Sequence, residues 1–177
     1  MKRLQKVVIL LSLVENLRSH GSWCGETHIQ KASYFLKTIL EVPLDYNFVL
    51  YKHGPYSFDL SDELTKMRAD GLLKYVPTPP YGAAFMLSGQ SNILKEKFPK
   101  TLNLYTDKIE SLAKELGNKG VRELEKLATA HYLLANEDNL DDKSMAKRMN
   151  ELKPHISVDE ARLAIRECKD MITRLRG

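Results

Sequence analysis

The chain has 177 residues, of which 43% are hydrophobic, and its 27 basic and 23 acidic side chains give a formal net charge of +4. A chain of this composition can bury a full hydrophobic core, and so small a charge excess disfavours a nucleic acid or a membrane held by bulk electrostatics. The two cysteines, Cys24 and Cys168, lie far apart in the sequence. They argue against a structural zinc and are typical of a reducing compartment.

An apolar segment with helical spacing opens the chain, marked by Leu4, Val7, Leu11 and Val14. It predicts a helix that is buried on more than one side. Basic residues precede it, but the small residues of a signal-peptide cleavage site are missing, and the segment is too short to span a bilayer. We therefore predict a cytoplasmic protein with no membrane partner. The surplus apolar face makes a homodimer through this N-terminal helix an expectation as well.

The second helix is predicted to begin near Thr27. Thr27 and Gln30 have the spacing of a capping box, and Ile29 and Leu36 mark the inner face. Pro43 ends the segment.

A strand, a turn and a third helix follow. Residues 48–53 are β-prone, and Gly54 with Pro55 predicts a tight turn directly after them. Ser57 is the candidate N-cap of a helix that Gly71 ends.

A hairpin is predicted next, with strands at residues 72–76 and 84–87. A β-hairpin after three helices is typical of the wing in a winged-helix domain. Its loop contains Pro77, Pro79, Pro80 and Gly82.

The rest of the chain is predicted to be helical. A short helix at residues 91–98 ends at Pro99, and a helix stop is expected at residues 117–120 before a helix from 121 to about 136. An acidic loop at residues 137–142 follows. Ser157 and Glu160 form a second capping box, which starts the last helix.

These elements predict a mainly α protein with a small β-hairpin. We expect a winged-helix-like core at residues 1–98 and a helical extension at residues 99–177 that packs on the core as one body.

A winged helix raises the hypothesis of a DNA-binding transcriptional regulator. Residues 57–70 include four acidic and two basic residues, which gives this segment a net charge of −2. A recognition helix needs positive charge to attract the phosphates of DNA. Direct DNA binding through this helix is therefore disfavoured. The regulator would need one continuous basic face formed with residues from 2–6 or 95–100. Its DNA-contacting residues would be Lys66, Arg68 and Lys74.

An enzyme hypothesis would start from His53, Tyr56 and Asp59, which lie close together in the sequence. No nucleophile motif, phosphate-binding loop or metal-ligand spacing accompanies them. We predict a protein that is not an enzyme and uses no cofactor and no metal.

The third hypothesis is a protein-interaction module. The sequence has an aromatic set near the turn, Tyr46, Tyr51, Tyr56 and Phe58, beside the acidic third helix. The alternative is that these tyrosines line the seam with the C-terminal helices. The predicted partner-binding residues are Tyr56, Asp59, Asp62, Glu63 and Lys66.

Two segments of the first half carry a family resemblance. HIQKASYF at residues 28–35 and YKHGPYSFDLSDELTKMRADGLL at residues 51–73 resemble the SocA-like Panacea antitoxin domain and the related YwgA-like uncharacterised proteins. LEKLATAHYLL at residues 124–134 and LKPHISVDEARLAI at residues 152–165 resemble the YwgA-like group. The matching positions in the first two segments are Gln30, Lys31, Tyr34, Gly54, Pro55, Tyr56, Ser57, Leu60, Leu64, Asp70, Gly71 and Leu72.

The resemblance implies a winged-helix-like core with a helical extension. For Panacea proteins it implies antitoxin or adaptor action by binding a partner protein. The Panacea pattern has a histidine, glutamate and tryptophan run near the end of the domain, whereas here His131 is followed by Tyr132 and Leu133. This departure favours the YwgA-like group.

Overall fold

The computed structural model describes residues 1–137 and 140–177, with Tyr81 described by its backbone alone. Within these residues the chain forms eight helices and two antiparallel two-stranded sheets. The predicted class, mainly α with small β elements, is confirmed. The winged-helix assignment and the boundary at residue 98 stay predictions. Of the predicted acidic loop at residues 137–142, residues 138 and 139 lie outside the described residues.

The elements follow one another along the chain with short connections. They are α1 (Arg3–Ser19), α2 (Glu26–Thr38), β1 (Val49–Tyr51), β2 (Gly54–Tyr56), α3 (Phe58–Ala69), β3 (Leu73–Thr78), β4 (Tyr81–Leu87), α4 (Gly89–Glu96), α5 (Pro99–Leu116), α6 (Val121–Asn136), α7 (Asp142–Leu152) and α8 (Val158–Arg176).

Helix α1 lies at the centre of the fold. Its apolar residues from Val7 to Leu17 are at most 1% exposed, because α2, α4, α5 and β4 all contact this helix. The expected burial on several sides is therefore present. The same contacts cover residues 7–17, whereas Leu4 at the start of the helix is 43% exposed, so the homodimer through this helix stays a prediction.

One hydrophobic core joins the two predicted parts of the chain. It contains Leu10 and Phe35 from the first part together with Ile109, Leu127 and Ile165 from the second. Burial of this apolar surface is the main driving force for packing the helices together.

The start of α2 differs from the prediction. The helix begins at Glu26 with Gly25 as N-cap, and no side chain caps it. The capping box predicted for Thr27 and Gln30 is wrong, because the Gln30 side chain bonds to the Ser57 backbone instead. The Ser157 capping box is confirmed.

The turn before α3 also differs from the prediction. The turn predicted at Gly54 and Pro55 is wrong, because the chain reverses at residues 52–53. Gly54 and Pro55 belong to β2, where Gly54 pairs with Tyr51 and Pro55 pairs with Leu50. Strand β2 has β1 on one side and no second strand among the described residues on the other. An outer strand tolerates proline, since a missing N–H there need not break the ladder. Ser57 caps α3 as predicted.

The β3–β4 hairpin is longer than predicted. Pro77 lies in β3 beside a register shift, and Gly82 lies in β4. Proline is accommodated at such irregularities because the ladder is already interrupted there. The Phe85 N–H donates a 2.9 Å hydrogen bond to the Cys24 carbonyl, which ties the hairpin to the α1–α2 connection.

Candidate partner-binding surface

Two buried side chains of α2 hold the β1–β2 hairpin and the start of α3. The Gln30 amide donates to the Ser57 carbonyl and accepts from the Ser57 N–H, each at 2.9 Å. The Lys31 ammonium donates to the Pro55 carbonyl, also at 2.9 Å. Gln30 and Lys31 are 0% and 1% exposed, so these bonds are shielded from competition with water.

The C-terminal half holds the same hairpin from the other side. The Lys153 ammonium donates to the carbonyls of Tyr51 and Lys52. The buried Glu125 carboxylate lies 3.4 Å from His53 Nδ1 and 3.0 Å from His155 Nε2. The turn is thus fixed by polar side chains from α2, from α6 and from the residues that follow α7.

Gly54 lets the hairpin approach α6 closely. Its φ is +84°, a left-handed conformation that side chains disfavour. A Cβ at this position would lie 3.0 Å from Thr129 Oγ1 and 3.4 Å from the Glu125 carbonyl. Glycine is therefore required by both conformation and space.

Burial changes the titration of Lys31. It lowers the pKa of the Lys31 ammonium to about 8 because the charged form loses its hydration. The Glu125 carboxylate opposes this shift, and the Lys153 charge adds to it. At neutral pH Lys31 therefore carries a charge that its buried surroundings disfavour.

Three aromatic residues form a surface cluster at the corner between the hairpin and α3. The ring centroids of Tyr51, Tyr56 and Phe58, here named the aromatic cluster, lie 5.1 to 5.8 Å from one another. Tyr51 is 46% exposed and Phe58 is 58% exposed, whereas Tyr56 is half-buried. The Tyr56 hydroxyl donates to Glu26 Oε1 at 2.9 Å, which fixes the ring. Tyr46, expected in this set, is buried elsewhere.

The predicted partner-binding residues separate into two groups. Asp59, Asp62 and Lys66 are exposed on α3, and within the described residues none of them forms an ion pair. Glu63 is buried, and the Arg3 guanidinium lies 2.8 Å from its carboxylate. Glu63 was predicted from its charge, but it faces α1 and is not part of the surface.

Several basic residues of the DNA hypothesis are already engaged. Arg3 pairs with Glu63 and with Asp70, and the Arg68 guanidinium lies 4.8 Å from the centre of the Tyr75 ring. The Lys95 ammonium lies 2.6 Å from the Glu15 carboxylate.

Lys66 and Lys74 are exposed. With their neighbours paired to acids or to a ring, they give no specific support for a DNA interface.

The residues of the enzyme hypothesis contact different partners. His53 faces Glu125, the Tyr56 hydroxyl faces Glu26, and no hydrogen bond joins any two of His53, Tyr56 and Asp59, all of which are described. In residues 1–137 and 140–177 no three His, Cys, Asp or Glu side chains are grouped so that they could hold a metal ion.

A cavity of about 230 Å³ opens beside the aromatic cluster. Tyr51 and Tyr56 form one part of its wall, and the first turn of α2 forms another part. The side chain of Lys31 also lines the cavity. Lys31, Glu125 and Lys153 were visible in the sequence only as members of the segments that carry the family resemblance. Their burial gave no signal, because polar residues normally face solvent.

Comparison with known proteins adds no assignment. No protein-family model matches this chain, and no curated protein matches it. The resemblance to the Panacea and YwgA-like families therefore stays an expectation. Among the described residues, no helix combines the length and the apolar character needed to cross a membrane.

Proposed function

We propose that this protein is a non-enzymatic interaction module of antitoxin or adaptor type, which binds a partner protein through the aromatic cluster. Asp59, Asp62 and Lys66 form the charged edge of this surface. The proposal includes a cytoplasmic location and a winged-helix core, in keeping with the family resemblance of the sequence.

The observation that carries the proposal is a set of three aromatic rings in mutual contact at the surface, of which Tyr51 and Phe58 are exposed and Tyr56 is half-buried. Aromatic side chains lose little conformational entropy on binding and are enriched among the residues that dominate interface energies. When a partner covers such a patch, its apolar surface is removed from water, and this favours binding.

The base beneath the cluster supports the same conclusion. Tyr51, Tyr56 and Phe58 are carried by backbone that Gln30 and Lys31 hold through buried hydrogen bonds and Lys153 through a partly buried one. A surface that is fixed before binding pays less entropy when the partner arrives. Exposed loops without such anchors lack this advantage.

The test is site-specific photocrosslinking in the cells that produce the protein. A photoreactive phenylalanine analogue is placed at position 58 and, as the matched control, at position 163, where Leu163 is 63% exposed on α8. We expect a discrete crosslinked protein from position 58 and none from position 163. The Tyr51→Ser exchange is expected to reduce that product at least tenfold while the protein stays folded.

Two results would contradict the proposal. One is the absence of any crosslinked protein from position 58 in a chain that is folded and expressed. The other is an equal set of products from both positions, because this would mark indiscriminate contact.

A further inference from the structure

The cavity beside the aromatic cluster has a buried cation at its base. Lys31 is 1% exposed, yet it contributes to the cavity lining. Its ammonium has three N–H donors, and within the described residues one is used, in the hydrogen bond to the Pro55 carbonyl. No carboxylate among these residues lies within ion-pair distance of it. Buried cations are normally paired, because an unpaired one loses its hydration without compensation.

We propose that this cavity is a binding site for a carboxylate joined to a short apolar or aromatic group, with Lys31 as the residue that binds the carboxylate. The inference deepens the proposed function and rests on it for one source of the carboxylate, a chain terminus or acidic side chain of the partner protein. The other source is a free small carboxylic acid.

The remaining polar lining favours a negative charge. Thr27 lies in the first turn of α2, whose backbone N–H groups have no capping side chain. The N-terminal end of a helix attracts anions. Lys52 and His53 stand at the rim, where both are exposed.

Two carboxylates lie close to the site, and both already contact other side chains of the protein. Glu26 lines the cavity, but its Oε1 accepts hydrogen bonds from the Tyr56 hydroxyl at 2.9 Å and from the Ser61 hydroxyl at 2.8 Å. Glu125 faces His53 and His155. Neither carboxylate satisfies the two unused donors of Lys31.

The size and the walls define the rest of the ligand. Tyr51 and Tyr56 supply aromatic surface. A cavity of roughly 150 Å³ accommodates benzene, so about 230 Å³ accommodates a carboxylate with one ring or a short aliphatic group. This chemistry distinguishes the site from a phosphate site, which would need more donors.

The first experiment is an NMR titration of the full chain at low ionic strength with 3-phenylpropanoate, and with 3-phenylpropanamide as the uncharged probe of the same shape. We expect the acid to shift the resonances of Thr27, Lys31, His53 and Tyr56, and the amide to bind at least tenfold more weakly. Equal binding of both probes, or shifts confined to other residues, would overturn the inference.

Variants separate the role of Lys31 from the integrity of the hairpin. Lys31→Met is expected to lose binding of the acid by at least tenfold. Lys37→Met is the matched control, because Lys37 lies on the same helix and its ammonium also donates to a backbone carbonyl, that of Tyr46, but it does not line the cavity. Equal loss of binding in both variants would overturn the assignment.

A measurement on the unaltered chain covers the case in which Lys31→Met does not fold. The chain is uniformly labelled with ¹³C, which leaves the amines unmodified, and the Lys31 Cε resonance is titrated with and without 3-phenylpropanoate. A bound carboxylate must raise the pKa of Lys31, and a tenfold preference for the ammonium form corresponds to a rise of about one unit. An unchanged pKa at a saturating concentration of the acid would overturn the inference.

The two sources are distinguished with peptides. A tetrapeptide ending in phenylalanine with a free carboxylate is compared with its C-terminal amide and with the free acid. Tighter binding of the free-carboxylate peptide than of the small acid supports the partner source, and the reverse order supports a small acid. If no acid binds but position 58 still crosslinks a partner, the carboxylate site fails while the interaction function stands.

Discussion

The two β-hairpins of this protein are stabilised in different ways. The β1–β2 hairpin has three residues in each strand, and the buried side chains of Gln30, Lys31 and Lys153 hold it. The β3–β4 hairpin has six and seven residues, and the rings of Tyr75 and Phe85 pair across its strands at 4.7 Å.

The comparison shows how strand length decides what a hairpin needs. A two-stranded hairpin is marginal in water, and three residue pairs provide few ladder bonds. Cross-strand aromatic pairs add stability to the longer hairpin. The short hairpin obtains its stability from polar side chains elsewhere in the chain, and in return its position relative to α2 and α6 is fixed.

The largest effect is expected from Gln30→Leu. This change removes both hydrogen bonds to Ser57, whose buried N–H would then lack a partner, whereas its carbonyl keeps the hydrogen bond from the Ser61 N–H at 3.1 Å. The loss is expected to be roughly 2–4 kcal/mol of unfolding free energy, measured by urea denaturation. As a control in the longer hairpin, Thr78→Val removes an exposed hydrogen bond and should change stability by less than about 0.5 kcal/mol. Similar losses in the two variants would refute the contrast between the hairpins.

The second test compares two glycines with positive φ. Gly54→Ala should lower the free energy of unfolding by about 2 kcal/mol. The alanine would have to adopt a left-handed backbone conformation, and its Cβ would also crowd Thr129. Gly71→Ala, with φ +71° and no atom within 4 Å of the added Cβ, should cost about 1 kcal/mol. Thermal denaturation of both variants measures the difference. Equal losses of unfolding free energy in the two variants would mean that the close approach of Gly54 to α6 does not affect stability.

The third test uses pH to isolate Lys31. Its pKa is lowered to about 8 in the folded protein, whereas an unfolded lysine titrates at about 10.4. Between these values the unfolded chain binds more protons, so the contribution of Lys31 to folding stability rises with pH and is lost as the pH falls through about 8.

The difference in unfolding free energy between the unaltered chain and Lys31→Met should therefore grow between pH 8 and 9.5. Its upper limit is about 1.4 kcal/mol per pH unit. Urea denaturation at both pH values gives the difference, and groups common to both proteins cancel. A difference that stays constant would show that burial does not penalise the Lys31 ammonium.

The last test is Lys153→Met, for which a small global effect is expected. The carbonyls that Lys153 binds belong to exposed residues and can be hydrated after the exchange, so the cost should be about 1 kcal/mol. The local effect should be clearer: amide hydrogen exchange is expected to accelerate in β1 and β2 and to stay unchanged in β3 and β4. The pKa of Lys31 should also rise, because the nearby Lys153 charge lowers it. Uniform acceleration in both hairpins would contradict this prediction.

Much of the helical framework could be predicted from local patterns. Gly117 and Gly120 bound the break between α5 and α6, and Ser57 and Ser157 cap α3 and α8 as predicted. Apolar periodicity and capping act over one or two helical turns, so a single sequence contains them.

The polar contacts of the candidate site could not be predicted in the same way. Gln30 was expected to cap its own helix but binds Ser57, 27 residues away in sequence, and Glu63 was expected on the surface but faces Arg3. Polar side chains have no periodic signal that names their partner, and the same residue types serve in caps, on surfaces and in buried networks.

The sequence by itself determined the mainly α class, the burial of α1 on several sides, and the position of α3 after a strand and aromatic residues, but not strand β2. The tertiary structure decided that Lys31 and Lys153 are buried, that Gly54 lies against α6, and that Tyr51, Tyr56 and Phe58 meet at the surface. Local patterns follow from backbone geometry within a few residues. Burial of a charge and contact between distant side chains depend on how whole elements pack around one core, and so they appear only when the chain is folded.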